Sequence, residues 1–253
     1  MRRNIKLVVS YDGTDYAGWQ IQNSNPSIQG ELQSALSNLH GSPVSVTGAG
    51  RTDSGVHARG QVCNFYTGMS GIPGVKFREA LNSRLPGDIR ILQSSEVSGD
   101  FHSRRDALER QYEYRLYHGK VLPAHEARYT WQLSRMPRLG ILNDMASVVC
   151  GVHDFSTFTA AGDSSRSKIR CINHAVFLSD GPLILFRISG NAFLWRMVRS
   201  LLGTLIDLGI RGGTPEQMQG ILESRNRNEA GPTAPPRGLF LSKVKYGPDK
   251  SVY

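Results

Sequence analysis

Apolar residues in the first hundred positions follow two different periods, and this alternation restricts the fold more than any other feature of the sequence. Residues 4–10 are rich in apolar and β-branched side chains and precede an Asp-Gly turn, which is typical of a strand. Residues 28–39 instead repeat isoleucine, leucine and alanine at helical spacing before Gly41, which predicts an amphipathic helix. Strands interleaved with helices imply an α/β sheet with helices packed on it.

The remaining elements follow from the same patterns. In the first half we predict a polar, glycine-rich loop over 47–60, a strand over 61–66, a short helix near 75–84 and a strand over 89–97. In the second half we predict strands near 109–118, 169–178 and 183–189, a helix near 139–150 and a last strand from residue 239. The strands over 169–178 and 183–189 are expected to form a hairpin with Asp180-Gly181-Pro182 as its turn. The chain therefore divides into two similar α/β halves, residues 1–105 and 106–253.

Two more helices in the second half are predicted from their first residues. The longest is expected to run from Asn191 to Leu208, with Asn191 as its N-cap. The other is expected to begin at Thr214-Pro215, where threonine suits the N-cap and proline suits the first helical position.

The charge of the chain favours an anionic partner. The 30 Lys and Arg residues exceed the 21 Asp and Glu residues, which gives a formal net charge of +9 at pH 7. The excess is +3 over residues 1–105 and +6 over 106–253, so it excludes a basic tail and suits a cleft lined from both halves. Nucleic acid gains more than a membrane from such a surface, because binding releases counterions from phosphate. A simpler explanation, which the charge does not exclude, is that the basic residues serve only to keep the protein soluble.

Cysteine usage and the N-terminus favour a soluble, cytoplasmic protein. The three cysteines form no C-x-x-C pair, and their odd number argues against a secreted disulfide framework. The apolar run before Asp12 is too short for a signal-peptide core or a membrane span.

One stretch, residues 48–60, carries the candidate chemistry. It contains four glycines, two arginines and a single acid, Asp53. It matches a dinucleotide-binding fingerprint poorly, because Asp53 stands at the third glycine position and the acidic residue expected downstream is missing. A solvated surface loop is the simpler alternative. Against it, an acid placed between Arg51 and Arg59 would stay ionised, which suits a nucleophile or a base.

The loop from Gly50 to Val62 resembles the signature of the TruA family, tRNA pseudouridine synthase I. Four further segments resemble that family in the same order, and they are Phe101-His102-Ser103-Arg104, Tyr112-x-Tyr114, Asn191 to Arg199 with Gly203 beyond, and Thr233 to Leu239. The resemblance covers essentially the whole chain. Departures at Ser54, Gln111 and Arg115 put only fine substrate contacts in doubt.

The resemblance implies both a fold and a reaction. The fold is the pseudouridine synthase fold, an α/β fold of the α+β type with two similar halves, whose mixed, largely antiparallel sheets are packed by helices around a central cleft. The implied enzyme is a homodimer that isomerises uridine to pseudouridine at positions 38, 39 and 40 of the tRNA anticodon stem-loop. Because the base is only detached, turned and rejoined, no redox change or group donor is needed, and we expect no cofactor and no metal.

The resemblance also implies which groups act on the uridine. Asp53 is the expected catalytic carboxylate, and Arg199 resembles the arginine that pairs with it and orders it. Asp53 could attack the ribose, attack the base, or help to remove the C2′ proton, and the sequence does not choose among these. The structural alternatives are an aspartate that only ties the loop and an arginine that reaches solvent from its apolar helix.

Three more residues are expected at the substrate. Tyr112 resembles the tyrosine that stacks on the target uracil, and an aromatic face can hold a flipped base. Tyr114 lies on the same face of the strand and is expected to be ordinary packing. Leu239 resembles the residue that closes the far side of the uracil pocket, although a core leucine is equally natural there. Arg51 is expected to contact the RNA backbone or hold the flipped conformation, and His57 to order the loop by hydrogen bonding.

Two other functions compete with this enzyme. A non-catalytic RNA-binding protein would keep the basic surface but lose the acid or the stacking tyrosine, whereas Asp53, Tyr112 and Arg199 are all present. A nucleotide-binding α/β enzyme would need a phosphate loop, and the sequence contains none.

Overall fold

A computed structural model of the chain describes residues 2–22 and 25–248. Ten strands and five α-helices lie within these residues. The strands are β1 (Arg3–Tyr11), β2 (Val46–Gly48), β3 (His57–Thr67), β4 (Ile89–Val97), β5 (Glu109–Tyr117), β6 (Trp131–Gln132), β7 (Gly151–Asp154), β8 (Ile169–Asp180), β9 (Leu183–Gly190) and β10 (Leu239–Lys245). The helices are α1 (Ile28–His40), α2 (Phe77–Asn82), α3 (Leu139–Ser147), α4 (Met197–Ile210) and α5 (Pro215–Glu223).

The chain divides into two compact units. The first comprises the described residues up to Leu108 together with those from Phe240 onward, and the second comprises Glu109–Leu239. The sequence had placed the last strand with the second half. It lies in the first unit because Phe240 and Leu241 pair in parallel with His57 and Ala58 of β3.

The first unit has the strand order β4-β1-β3-β10, and β2 pairs with another stretch of β3. Strand β1 runs antiparallel to both of its neighbours, with Leu7 opposite Cys63 of β3 and Ser94 of β4. Leu7 and Cys63 are fully buried, so this pair lies in the core of the unit. Burial raises the pKa of the Cys63 thiol, which therefore stays protonated at neutral pH.

Helix α1 confirms the predicted amphipathic helix and its two ends. The Ser27 side chain accepts a hydrogen bond from the Gly30 amide at 3.3 Å, as an N-cap does. Gly41 ends the helix with φ of 67°, a left-handed conformation that glycine adopts without a steric penalty. The buried face consists of Ile28, Leu32, Ala35 and Leu36.

The second unit has the strand order β5-β9-β8-β7, with every adjacent pair antiparallel, and β6 pairs in parallel with the end of β5. The predicted hairpin between β8 and β9 is confirmed, and its two-residue turn is Gly181-Pro182 with Gly181 at φ of 59°. Helix α3 packs on β8. Eleven of the fourteen residues of α4 are buried, so α4 is the central helix of this unit. The mixed α/β fold with largely antiparallel sheets is therefore as predicted.

Helix α5 confirms the other predicted helix start. The Thr214 hydroxyl accepts a hydrogen bond from the Gln217 amide, and the Gln217 side chain accepts one from the Thr214 amide, which completes a capping box. Pro215 occupies the first helical position.

The start of the longest helix was predicted wrongly. Helix α4 begins at Met197, six residues after Asn191, and its N-cap is Arg196. The Asn191 side chain does not cap a helix because its oxygen accepts a hydrogen bond from the Cys171 amide at 3.1 Å. Residues 191–196 therefore cross from the end of β9 to α4 as irregular chain.

The polar loop predicted over residues 47–60 is also shorter than expected. Strand β2 extends to Gly48 and β3 begins at His57, which leaves residues 49–56 as loop. His57 and Ala58 pair with Phe240 and Leu241 of β10, almost two hundred residues later in the chain, and Ala58 also pairs with Tyr11 of β1. Among the described residues, no helix is both long enough and apolar enough to cross a membrane.

Candidate functional site

The loop that carries Asp53 is held by hydrogen bonds from its own unit. The amide of Ala49 donates to the carbonyl of Val62 at 2.7 Å, and the Gln61 side chain donates to the carbonyl of Gly50 at 2.9 Å. Inside the loop, the amide of Val56 donates to the carbonyl of Asp53 at 3.1 Å. These bonds fix both ends and the turn, so Asp53 is presented by an ordered loop.

The segment between β1 and α1 braces this loop from the side. The amide of Trp19 donates to the carbonyl of Thr52 at 3.1 Å, and the amide of Gly55 donates to the carbonyl of Tyr16 at 3.3 Å. The Ser54 hydroxyl also donates to the carbonyl of Tyr16, at 3.1 Å. Residues 52–55 are therefore clamped to residues 16–19, a contact that the loop sequence alone could not indicate.

Two glycines make this close approach possible. A Cβ on Gly18 would lie 2.4 Å from the carbonyl oxygen of Thr52 and 2.9 Å from the carbonyl carbon of Asp53. Gly18 also has φ of 102°, which disfavours any larger residue. A Cβ on Gly13 would lie 2.0 Å from the carbonyl oxygen of Val56. Neither glycine stands out in the sequence as a functional residue, although both determine where the Asp53 backbone lies.

Side chains of the loop divide into anchors and accessible groups. Thr52 is buried, and its hydroxyl is hydrogen bonded to the Tyr11 hydroxyl at 2.8 Å. Asp53 is half-buried, while Arg51 and Ser54 are exposed. A half-buried carboxylate on a fixed backbone has a defined direction and access to solvent, as a group acting on a macromolecular substrate requires.

A pocket of about 170 Å³ opens next to this loop in the first unit. Its lining includes Trp19, Gln29, Gly50, Arg51 and Arg104. The two arginines are exposed, so the pocket is positively charged and suited to an anionic group such as phosphate. Arg104 belongs to a segment matched to the family, but the sequence had suggested no role for it.

His57 is a buried structural residue, as expected. Its ring stacks on Phe240 with centroids 4.7 Å apart. The Gly13 amide donates to its Nδ1 at 3.0 Å, and Asp12 lies 3.1 Å from the same atom. The Gly13 amide and the Asp12 carboxylate therefore both contact Nδ1 and hold the ring in place. His57 therefore anchors the start of β3.

In the second unit, the structure distinguishes the two tyrosines of β5. Tyr114 is fully buried, its hydroxyl donates to the carbonyl of Pro235 at 2.7 Å, and burial raises its pKa. Tyr112 lies opposite Ile188 of β9 and keeps 7% of its surface exposed. Its ring meets Phe193 edge-to-face, with centroids 5.1 Å apart. Tyr114 is therefore packing, and Tyr112 is a tyrosine supported from one side by another aromatic ring.

Arg199 lies in the first turn of α4 and binds the turn that precedes β10. Its Nε donates to the carbonyl of Ala234 at 2.8 Å, and the Ala234 amide donates to the carbonyl of Arg199 at 3.0 Å. A Cβ on Gly203 would lie 1.7 Å from the carbonyl oxygen of Pro232, so this contact depends on glycine. The guanidinium is thus oriented by hydrogen bonding and does not simply extend into solvent.

Three sequence segments meet at this turn. Tyr114 of β5 binds Pro235, Arg199 of α4 binds Ala234, and Leu239, which is 4% exposed, begins β10 directly after the turn. The second unit therefore brings together the segments that carry Tyr112, Arg199 and Leu239. Asp53 and Arg51 belong to the first unit.

Metal ligation has no support among the residues that the structure describes. No group of three or more histidine, cysteine, aspartate or glutamate side chains is close enough there to hold an ion.

Known proteins resemble this chain over almost its full length. A family model described as tRNA pseudouridine synthase matches residues 7–105 and 145–247. The chain is 46% identical over 253 residues to tRNA pseudouridine synthase A of Treponema denticola, with 98% of this chain and 94% of that protein covered. It is 42% identical over 244 residues to the protein of the same name from Moorella thermoacetica, covering 96% of this chain and 99% of that protein. The protein of that name from Acetivibrio thermocellus is 41% identical over 244 residues, covering 96% and 100%.

The site residues are distributed unevenly over these matches. The Asp53 loop, Arg199 and Leu239 fall within the two stretches of the family model. Tyr112 falls between them and is covered only by the full-length relatives.

Proposed function

Because the chain belongs to the tRNA pseudouridine synthase family and is an isomerase that converts uridine in tRNA to pseudouridine, we propose that it acts at positions 38, 39 and 40 of the anticodon stem-loop with Asp53 as its catalytic carboxylate. The observation that carries the proposal is the braced loop. An acid on a backbone clamped by residues 16–19 can be held in a reactive geometry, and such preorganisation is a large part of what an enzyme supplies.

The reaction is an isomerisation, so it needs no group donor and no redox partner. The bond between N1 and C1′ breaks, the uracil turns within the site, and C5 bonds to C1′ while the C5 proton is lost and N1 regains one. Asp53 assists as a nucleophile toward the ribose or the base, or as a base toward the C2′ proton. Each of these roles needs an ionised carboxylate with access to the substrate.

Four further residues are proposed to act with Asp53. Arg199 is the second catalytic residue, a role that the family resemblance implies. Tyr112 stacks on the target uracil, and Leu239 closes the pocket on its other side. Arg51, exposed beside the positively charged pocket, binds an RNA phosphate near the flipped nucleotide.

Two properties of the assembled enzyme belong to the same proposal. We expect a homodimer whose subunits together bind one tRNA, and we expect it in the cytoplasm, where tRNA is modified. Sedimentation with and without tRNA would show whether two chains accompany each RNA.

The experiment compares Asp53→Asn with Asp144→Asn on an unmodified tRNA transcript. Asp144 is an exposed aspartate on α3, so its replacement makes the same chemical change away from the braced loop. We expect Asp53→Asn to lose at least about 1,000-fold in the rate of pseudouridine formation, as removal of a central catalytic group does in other enzymes. We expect the control to retain the wild-type rate.

Binding of the transcript separates catalysis from recognition. Both variants are expected to bind the RNA as the wild type does, because phosphate contacts supply most of the affinity. If Asp53→Asn formed pseudouridine at the wild-type rate, Asp53 would not be the catalytic carboxylate. If the wild type bound RNA without modifying it, a non-catalytic RNA-binding role would replace this proposal.

A further inference from the structure

Trp195 and Arg196 form an exposed pair immediately before α4. Trp195 keeps 45% of its surface exposed, an unusual state for the largest apolar side chain. The Arg196 guanidinium lies 5.1 Å from the centroid of the Trp195 ring, within cation–π range. We call these two residues the Trp195 platform. Burial does not explain why a tryptophan stands at this position.

The backbone beneath the platform has a costly conformation. Arg196 has φ of 60°, in the left-handed region that favours glycine, and it serves as the N-cap of α4 without a capping side-chain bond. Such a conformation costs on the order of 1 kcal/mol or more for an ordinary residue. Strain of this kind persists where the surroundings enforce it, and it is concentrated at functional sites.

An aspartate whose side chain is only 5% exposed, Asp163, holds the backbone at Trp195. Asp163 accepts the Trp195 amide at 2.7 Å through one oxygen, and its other oxygen accepts Lys168 at 2.6 Å. The carbonyl of Trp195 accepts the Ala160 amide at 3.0 Å. Burial acts to raise the pKa of Asp163, but the bonds from Lys168 and from the Trp195 and Ser165 amides hold it well below its usual range. The carboxylate therefore stays ionised and keeps Trp195 fixed to the loop over residues 160–168.

The segment that holds the platform, residues 160–170, is basic. The side chain of Trp195 rests near Gly162, where an added Cβ would lie 3.7 Å from the ring. Between residues 160 and 170 the chain has three basic residues and one acid, and that acid is paired with Lys168. Arg166 and Arg196 are both exposed. A fixed aromatic face among exposed guanidinium groups matches a stacked base with its phosphates better than it matches an apolar protein surface.

We propose that the Trp195 platform is an RNA-binding subsite, on which a base of the tRNA substrate stacks against Trp195 while Arg196 binds an adjacent phosphate. This proposal rests on the tRNA substrate of the proposed function and adds a contact that the catalytic residues do not supply. The Arg196 guanidinium is already positioned over the ring, so RNA binding needs only that it turn from the indole toward phosphate. Asp163 is the positioning residue of the subsite, because it holds the backbone of Trp195 and does not meet the RNA.

The test uses three variants and an internal control. Trp195→Leu keeps an apolar side chain but removes the stacking face, and Trp195→Phe restores an aromatic ring. Arg196→Gly removes the guanidinium at a position where glycine fits the observed φ. Arg225→Gly is the matched control, since Arg225 is the other described non-glycine residue with positive φ, at 51°, and its side chain is 69% exposed.

We measure the dissociation constant of each variant for an unmodified tRNA transcript, together with KM and kcat for pseudouridine formation. Trp195→Leu is expected to weaken binding and raise KM by about 5- to 100-fold, as loss of one stacked base does, with kcat unchanged. Trp195→Phe should recover most of the affinity. Arg196→Gly should weaken binding several-fold, and Arg225→Gly should not.

Other outcomes would overturn the subsite. It is refuted if Trp195→Leu binds tRNA as the wild type does, or if Arg225→Gly weakens binding as much as Arg196→Gly. It is also refuted if the Trp195 variants change only the oligomeric state or the melting temperature. A wild type that makes no pseudouridine, but whose RNA affinity still depends on Trp195, would contradict the proposed function and leave the subsite intact.

Discussion

Replacing Gly18 with alanine should displace Asp53 without touching its side chain. The new Cβ would lie 2.4 Å from the carbonyl oxygen of Thr52 and 2.9 Å from the carbonyl carbon of Asp53, both backbone atoms that cannot rotate away. The positive φ of Gly18 adds about 1–2 kcal/mol of strain, and overpacking adds about 1–3 kcal/mol. We expect Gly18→Ala to lower the free energy of unfolding by about 2–5 kcal/mol.

The same clash should slow the chemistry. Relief requires the loop to move by a large part of an ångström, and a displacement of about 1 Å at a catalytic group can cost about 100-fold in rate. We therefore expect kcat for pseudouridine formation to fall by about 10- to 100-fold when it is measured well below the melting temperature. The dissociation constant for tRNA should change little, because the exposed basic residues are untouched.

Gly41→Ala is the control for this experiment. Gly41 also has a positive φ, at 67°, but a Cβ there would meet nothing within 4 Å. We expect Gly41→Ala to lower the free energy of unfolding by only the cost of the strained backbone, about 1–2 kcal/mol, and to keep the wild-type kcat. If Gly18→Ala kept the wild-type kcat, or was destabilised no more than Gly41→Ala, the argument that residues 16–19 position Asp53 would be wrong.

Two further predictions concern the second unit. Tyr114→Phe removes the donor to the carbonyl of Pro235 and should lower the free energy of unfolding by about 1–3 kcal/mol, with kcat unchanged because Tyr114 is packing; a large fall in kcat in the stable variant would contradict that assignment. Asp163→Asn should destabilise the protein at pH 7, and this loss of stability should begin to shrink once the pH falls below about 4. Because the folded-state pKa of Asp163 is depressed, the carboxylate contributes stability above its unfolded pKa of about 3.9, and that contribution disappears as the pH falls through the folded value. Denaturant unfolding at pH 7, 4 and 3 follows this trend, and a loss of stability that did not decrease at all toward pH 3 would contradict the ionised pairing with Lys168.

Local sequence patterns were sufficient to predict the elements whose ends are marked by residues next to them in the chain. Helix α1 combines an apolar stripe with Ser27 and Gly41 as caps, and α5 combines Thr214 with Pro215. The hairpin of β8 and β9 carries its turn in Gly181-Pro182. In each case the residues that decide the structure are neighbours in sequence, so the sequence predicts the result.

Predictions failed where the deciding partner is distant. Residues 191–196 contain apolar residues that suit a helix, yet Asn191 binds the Cys171 amide and the Trp195 amide binds Asp163. These long-range bonds outweigh local helical preference, which is weak for such a short segment. The short strands β2, β6 and β7 have the same origin, because each has at most four residues and is defined by its partner strand.

The candidate site shows the same division. Asp53 and Arg199 could be singled out because they lie in segments that resemble a family. The bracing role of Gly13 and Gly18 could not, since it depends on an approach to backbone atoms about forty residues away in the chain. The sequence around a glycine in a turn does not show which distant segment of the chain packs against it.

The central claim is that this chain makes pseudouridine in the tRNA anticodon arm through Asp53. The most direct test is to incubate an unmodified tRNA carrying uridines at positions 38, 39 and 40 with the wild type and with Asp53→Asn, and to map pseudouridine at single-nucleotide resolution. We predict pseudouridine at those three positions with the wild type and none above background with the variant. Modification by the wild type only outside the anticodon arm, or equal modification by both proteins, would contradict the account.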